Sequence, residues 1–172
     1  AQCYSSVGRS YSFYNDGNIP ITAVSAEVKI SNSGGSSCYF GYSPVSGDFN
    51  ADGRTDLAIG APACGGSAGY AYIFYNDGSI PTTTGTADVS IAGESAVNSF
   101  GGVLTSGDFN ADGRTDLAVG AESYSSSTGR AYLFYSDGSL PTTAATADVI
   151  ITGETTSNYF GTSLTPGDFN AD

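Results

Sequence analysis

Short runs of β-branched and aromatic residues alternate with turns rich in Gly, Asn, Asp and Ser along the chain. Such runs are typical of β-strands, because these side chains suit a pleated, half-buried surface. Asn76-Asp77-Gly78 tolerates positive φ angles and ends one run, and the following Pro81 cannot donate to a central ladder. The pattern predicts an all-β fold, with four strands after Phe40 at about residues 40–46, 56–61, 69–76 and 87–92.

The pattern recurs every 60 residues, since Phe40-Gly41, Phe100-Gly101 and Phe160-Gly161 align. A period of this length indicates a propeller or a solenoid, in which each unit is one supersecondary structure that packs on its neighbours. Within such a fold, Phe40 and Phe100 are expected to be buried between units rather than to bind a ligand.

The N-terminal segment matches the second half of a unit. Tyr11 to Pro20 aligns with Tyr72 to Pro81, a stretch that contains a predicted third strand and the turn after it. We therefore expect a partial unit of strands three and four at residues 1–39, complete units at 40–99 and 100–159, and the start of a further unit at 160–172.

A ten-residue acidic stretch, Gly47 to Asp56, recurs as Gly107 to Asp116 and begins a third time at Gly167. Its oxygen-bearing side chains alternate with other residues before a glycine and a closing aspartate, which is how a short loop surrounds a hard cation. Without a cation, three carboxylates in one compact loop would repel one another. The stretch predicts a calcium loop, and the alternative is a solvated turn that binds no metal.

The composition removes several function classes. The 172 residues include 24 Gly, 12 Tyr and 9 Phe but no His, Met or Trp. With no His and no nucleophile motif, acid–base or nucleophilic catalysis has no evident residues, so an enzyme is not expected. Regularly spaced aromatic strands also argue against a disordered chain.

The net charge is −12, and eight of the seventeen acidic residues lie in the repeated loops. A chain without a basic patch is not expected to bind nucleic acid or an anionic membrane, because no lysine or arginine cluster would release counterions. No apolar run reaches about 18 residues, so membrane insertion is not expected either. Arg9 and Arg130 precede equivalent strands, where they could pair with acids of a neighbouring unit.

The three cysteines are Cys3, Cys38 and Cys64. Zinc is disfavoured, since the chain has neither a CxxC pair nor a histidine. One disulfide in an oxidising compartment is expected, with Cys38 paired to either Cys3 or Cys64. An extracellular or cell-surface location, as a secreted protein, fits both the cysteines and a calcium loop.

Together, these residues resemble a known family. Phe40-Gly41, the acidic loop and the run from Leu57 to Pro62 form a pattern that returns as Phe100-Gly101, a second loop and the run from Leu117 to Glu122. This resembles the FG-GAP repeats of the integrin α-subunit N-terminal domain and of many bacterial extracellular proteins. The resemblance implies β-propeller blades of four antiparallel strands, about three in this chain, as an incomplete propeller or part of an assembly.

The resemblance also implies calcium ligands, which are side-chain oxygens and one main-chain carbonyl in each loop. The first set is Asp48, Asn50, Asp52, Asp56 and the carbonyl of Arg54. The second set is Asp108, Asn110, Asp112, Asp116 and the carbonyl of Arg114. The third loop supplies Asp168, Asn170 and Asp172, which are the first half of a set.

The function implied is that of a non-catalytic extracellular module for adhesion or for binding a protein or glycan, with calcium in a structural role. Its partner would contact the loops at the opposite end from calcium. Two alternatives remain open at this point. The chain could build a surface assembly or filament by head-to-tail association with further copies or blades, or it could be a propeller segment of a larger extracellular enzyme.

Overall fold

The computed structural model describes residues 8–13, 22–34 and 38–167 and is all-β, as the sequence predicts. Its ten strands are β1 (Arg9–Ser12), β2 (Val28–Ser31), β3 (Pro44–Gly47), β4 (Asp56–Ala61), β5 (Tyr70–Phe74), β6 (Val89–Ala92), β7 (Val103–Gly107), β8 (Asp116–Ala121), β9 (Arg130–Phe134) and β10 (Val149–Thr152). Short 3-10 helices occur at Ala23–Ser25, Thr84–Thr86 and Ala144–Thr146, and single helical turns at Cys64–Ser67 and Tyr124–Ser127.

The strands form two four-stranded antiparallel sheets and one two-stranded sheet. The order β3-β4-β5-β6 is repeated as β7-β8-β9-β10, and β1 pairs with β2. The register is also repeated, because Ile59 faces Tyr72 in one sheet and Val119 faces Tyr132 in the next. These sheets are propeller blades, and the described residues do not close a ring.

The first strand of each complete blade begins later than the sequence predicts. The expected strand at residues 40–46 starts at Pro44, because the chain turns before it. Tyr39 and Gly41 have φ angles of 52° and 91°, which no strand accommodates. The turn directs the Gly41 N–H to the carbonyl of Gly60 at 3.2 Å, so the segment before the strand is held against β4.

The hydrophobic core lies between the stacked sheets. One cluster joins the two complete blades, and a second joins the first complete blade to β2. Phe100 is completely buried, and its ring packs edge-on against Tyr132 and Phe134 at centroid distances of 5.3 and 6.3 Å. Phe40 is 3% exposed and packs in the same way on the preceding side, so both phenylalanines have the core role expected of them.

Glycines are required where successive blades approach most closely. A Cβ atom at Gly60 would lie 2.0 Å from the carbonyl oxygen of Gly101, which belongs to the next repeat. Gly101 itself has a φ of +88°, and its N–H donates to Gly120. The glycines of both sequence motifs therefore let one backbone cross directly over another.

A disulfide joins Cys38 to Cys64 across 26 residues, which decides between the two pairings that the sequence leaves open. Cys3 lies outside the described residues. In the part of the chain that the structure describes, no helix is long and apolar enough to cross a membrane.

Candidate metal sites

The two acidic loops are the connections between the first two strands of each complete blade. Residues 48–55 join β3 to β4, and residues 108–115 join β7 to β8. Because both blades have the same strand order, the loops lie at the same end of neighbouring blades. A cation in either loop would therefore bridge the two strands of one hairpin.

In the first loop, two side-chain oxygens converge on a single main-chain amide. The Asp52 N–H donates to Asp48 Oδ1 at 3.0 Å and to Asn50 Oδ1 at 3.1 Å. Asp48 Oδ2 also accepts from the N–H of Gly53 at 2.9 Å. The side chains of Asp48 and Asn50 thus turn inward toward the same point.

Asp52 completes the curvature of this loop. Its Oδ1 accepts from the Arg54 N–H at 2.8 Å, and the Asn50 side-chain amide donates to its Oδ2 at 3.4 Å. Ala51 and Gly53 adopt left-handed φ angles of 60° and 84°. The backbone is consequently wrapped around the side-chain oxygens instead of extended.

The second loop repeats this geometry closely. Asp112 N–H donates to Asp108 Oδ1 and to Asn110 Oδ1, each at 3.1 Å. The N–H groups of Gly113 and Arg114 donate to Asp108 Oδ2 at 2.8 Å and to Asp112 Oδ1 at 2.9 Å. A conformation that two separate sequence copies share is set by the motif and not by one local environment.

The closing aspartates, Asp56 and Asp116, are fully buried and hold the loops to the sheets. Asp56 accepts the N–H of Phe49 at 2.9 Å on Oδ2 and the N–H of Asn76 at 2.8 Å on Oδ1. Asp116 does the same for Phe109 and Ser136, at 2.8 and 2.9 Å. Each carboxylate therefore fixes its own loop and the turn after the third strand.

Burial raises the pKa of Asp56, although its two main-chain hydrogen bonds lower it. The negative charges of Asp52 and Asp48 raise it further. The carboxylates of Asp52 and Asp48 thus oppose ionisation of Asp56, and positive charge at the loop would offset this repulsion.

The donor set matches what calcium prefers, because every candidate ligand is a carboxylate, an amide oxygen or a carbonyl. Each carboxylate oxygen that accepts one N–H still has a lone pair for a cation. In the described residues, no three His, Cys, Asp or Glu side chains are grouped closely enough to hold a metal by themselves. Calcium would therefore need the asparagine and the main-chain carbonyl in each loop. Asp168, Asn170 and Asp172 of the third loop lie outside the described residues.

Sequence reasoning did not single out Ser136, which contacts both loops. It lies in the turn after β9, and its side chain is completely buried. Its hydroxyl donates to the Phe49 carbonyl at 2.6 Å, while its N–H donates to Asp116. The only sign of this role in the sequence is that position 136 is serine, whereas the equivalent position one repeat earlier is Asn76.

The opposite end of the blades carries a cleft of about 360 Å³. Tyr39 and Tyr42, which line it, are 64% and 50% exposed. Its polar groups include Ser67, Ser99 and Glu122, and Glu122 Oε2 accepts from the Thr162 hydroxyl at 3.3 Å. The cleft thus combines exposed aromatic rings with hydroxyls and a carboxylate.

A model of the FG-GAP repeat matches residues 40–74 and 100–134. These are the two segments that run from the buried phenylalanine through the acidic loop to the end of the third strand. The chain contains FG-GAP repeats. The FG-GAP match thus falls on the same strands and loops in both complete blades.

Known proteins share the FG-GAP region of this chain. Integrin alpha-PS2 of Drosophila melanogaster is 32% identical over 144 residues, which are 78% of this chain and 10% of the integrin. Integrin alpha-5 of Xenopus laevis is 29% identical over 143 residues, 78% of this chain and 13% of the relative. Phosphatidylinositol-glycan-specific phospholipase D of Bos taurus is 32% identical over 147 residues, 77% of this chain and 17% of that protein. The chain therefore corresponds to a small part of each relative.

Proposed function

We propose that this chain is a calcium-stabilised extracellular FG-GAP module that binds a protein or glycan partner and is not itself a catalyst. The observation that carries the calcium assignment is the pair of acidic loops. In each, an aspartate and an asparagine turn their oxygens toward one amide, at 3.0 and 3.1 Å in the first loop. Because these oxygens already lie close together, the loop needs little further ordering to bind a cation.

The proposed ligands are those that the resemblance implies. They are Asp48, Asn50, Asp52, Asp56 and the Arg54 carbonyl in the first loop, and Asp108, Asn110, Asp112, Asp116 and the Arg114 carbonyl in the second. The same assignment extends to Asp168, Asn170 and Asp172 in the third loop. Calcium would neutralise carboxylates that otherwise repel one another, and it would stabilise the hairpin between the first two strands.

The proposed partner surface is the cleft at the end of the blades opposite the acidic loops. Exposed tyrosines offer flat apolar faces that suit sugar rings or aromatic side chains, and Glu122 accepts hydrogen bonds from hydroxyl or amide donors. The net charge of −12 disfavours polyanionic partners. A neutral glycan or a protein surface fits this combination better than a nucleic acid.

An extracellular location is supported by the disulfide and would suit the proposed calcium loops. The Cys38–Cys64 disulfide is stable in oxidising compartments and rare in reducing ones. Calcium loops of modest affinity are filled where free calcium is millimolar, as it is outside cells.

Calorimetric titration with calcium tests the metal assignment. The wild type should bind at both complete loops, and Asp52→Ala and Asp112→Ala should each lose one site. Glu154→Gln, which removes one exposed negative charge far from the loops, should keep the wild-type stoichiometry. Undiminished stoichiometry in both loop variants would contradict the ligand assignment.

Thermal unfolding tests the structural role of calcium. A ligand that binds only the folded state at about 100 times its Kd adds about 2.7 kcal/mol per site. The melting temperature should therefore rise with calcium concentration and fall in excess chelator. A melting temperature that does not depend on calcium would refute the stabilising role.

A glycan array tests the partner surface. Fluorescently labelled wild type should bind a subset of neutral glycans, and Tyr42→Ala and Glu122→Gln should lose that binding. Asp137→Asn, a charge removed at an exposed turn at the other end, serves as the matched control. Binding that persists in both cleft variants would place the partner elsewhere.

A second candidate function is assembly through the outer face of the β7–β10 sheet. Ile151 and Phe160 are 44% and 39% exposed, whereas their counterparts Ile91 and Phe100 are completely buried under the next blade. This face therefore has the chemistry of a blade interface, for a further blade or for another copy. Sedimentation analysis of the wild type and of Ile151→Glu tests it, because a concentration-independent monomer in both would rule out self-association.

A further inference from the structure

We propose that Ser136 couples the two acidic loops, so that a cation bound at one loop raises the affinity of the other. This inference rests on the proposed calcium binding. It concerns a residue that is not a candidate ligand, and it assigns Ser136 a positioning role. The basis is a continuous chain of hydrogen bonds through buried groups that connects the closing carboxylates of both loops.

The chain of hydrogen bonds begins in the first loop. Phe49 stands between the candidate ligands Asp48 and Asn50, and its N–H donates to Asp56 Oδ2 at 2.9 Å. Its ring is completely buried and belongs to the core cluster that joins the complete blades. A close-packed side chain resists small displacements, so the Phe49 backbone can transmit a movement of Asp48 or Asn50.

The next step crosses from one blade to the other. The Ser136 hydroxyl donates to the Phe49 carbonyl at 2.6 Å, and the two residues are 87 positions apart in sequence. Ser136 then donates its own N–H to Asp116 Oδ1 at 2.9 Å, and Asp116 Oδ2 accepts the Phe109 N–H at 2.8 Å. Three hydrogen bonds therefore link the Phe49 backbone to the backbone of the second loop.

The burial of this path makes it energetically significant. Phe49, Asp56, Asp116 and Ser136 are all 0% exposed, so water cannot replace a hydrogen bond that is lost. Hydrogen bonds in such surroundings are strong, and an unpaired group there is costly. A cation that fixes Asp48 and Asn50 also fixes Phe49, and through Ser136 it fixes the orientation of Asp116.

The expected consequence is positive cooperativity. Once the first loop is ordered, the second loop loses less conformational freedom when it binds its own cation. Coupling of this kind is reciprocal, because either loop must affect the other by the same factor. A single hydrogen bond predicts a factor of about twofold to tenfold.

Calorimetric titration with calcium chloride provides the test. Asp52→Ala and Asp112→Ala give the affinity of each loop alone. In the wild type, the second ion should bind about twofold to tenfold more tightly than these single-loop affinities predict. Ser136→Ala should bind two ions with no such gain.

The matched control is Ser106→Ala. Ser106 Oγ donates to the Ser46 carbonyl at 2.8 Å, so its removal also breaks a serine hydroxyl bond between the same two blades, but one that does not involve a closing aspartate. Cooperativity should survive in this control. Ser136→Cys keeps the side chain's size with a weaker donor and should show reduced cooperativity, which provides a second variant if the alanine variant folds poorly.

The outcomes separate the two proposals. Two ions bound independently by the wild type, or cooperativity retained in Ser136→Ala, would overturn the coupling and leave calcium binding intact. No calcium bound by the wild type would overturn both. Equal loss of cooperativity in Ser136→Ala and Ser106→Ala would also overturn the assignment, because it would show general loosening of the interface between blades.

Discussion

The two four-stranded sheets, β3–β6 and β7–β10, have the same strand order but are tied to their surroundings differently. The Cys38–Cys64 disulfide joins the segment before β3 to the helical turn after β4. Sixty positions later stand Asn98 and Tyr124, and the Tyr124 ring lies 3.6 Å from the Arg130 guanidinium. A cation–π contact of Tyr124 thus stands at the position that a disulfide cysteine occupies sixty residues earlier.

The repeats also differ in what covers their outer faces. Phe100 is completely buried between the two complete blades, whereas Phe160, at the same repeat position, is 39% exposed. The residue type and the local turn are the same, so only the neighbouring sheet differs. This contrast indicates that the burial of this phenylalanine is set by the contact with the next blade, one of the interface contributions to the stability of repeat proteins.

The largest expected effect tests the difference in burial between Phe100 and Phe160. Phe100→Ala should lower the free energy of unfolding by about 4 kcal/mol, because it leaves a cavity in the core between blades. Phe160→Ala, as the matched variant, should cost about 1 kcal/mol, since that ring is already partly exposed. Urea unfolding measures both, and equal losses would contradict the view that stacking sets the contribution of this phenylalanine.

The next effect tests the covalent tie. Cys38→Ala with Cys64→Ala should lower the free energy of unfolding by about 3 kcal/mol, because the disulfide closes a long loop in the unfolded chain. Asn98→Ala with Tyr124→Ala, at the equivalent positions sixty residues later, should cost less, about 1 to 2 kcal/mol. Comparing urea midpoints with and without a reductant gives an independent check. A wild type that reduction does not destabilise would argue against a stabilising disulfide.

A smaller effect is expected from the interaction between Arg130 and Glu94. Arg130 pairs with Glu94 of the preceding repeat at 3.0 Å, an ion pair between blades of the kind that the sequence raised as an option for this arginine. Arg130→Ala should cost about 1 kcal/mol, because the pair is partly exposed and the cation–π contact is lost as well. The loss should shrink at high salt. A salt-independent loss would assign the effect to packing of the arginine stem instead.

The smallest effect concerns the helical turns after β4 and β8. Ser126 has a left-handed φ of 57°, and its counterpart Gly66 has a φ of 71°. Ser126→Gly should stabilise by about 0.5 kcal/mol, because relief of backbone strain slightly exceeds the added freedom of the unfolded chain. Gly66→Ser should have the opposite sign. Differential scanning calorimetry can resolve the pair, and the same sign for both would contradict the strain argument.

Much of the fold follows from local features of the sequence. Phe-Gly, the acidic loop and the Gly-Ala run recur at fixed spacing, so the blades, their strand order and the loop positions could be predicted. The start of the first strand could not, because Tyr39 and Gly41 adopt positive φ angles and the Gly41 N–H bonds to the carbonyl of Gly60 in β4. A pattern of residue types does not contain that contact.

The candidate metal sites were likewise predictable only in part from the sequence. Alternating oxygen side chains in the loops identify Asp48, Asn50 and Asp52 as candidate ligands from sequence alone, and calcium binding there is still a prediction. The burial of Asp56 and its two main-chain partners emerged only from the structure, since one of those partners is Asn76, 20 residues away. Ser136 is less predictable still, because its hydroxyl bonds to a different repeat.

The acidic stretch, its repetition and its place between two strands were determined by the sequence, because turns and strand patterns depend on neighbouring residues. The tertiary structure decided which cysteine pairs with Cys38, which phenylalanine is buried and how one loop is connected to the next. Each of these depends on which surfaces meet when the chain packs, because residues that are distant in sequence become neighbours only then.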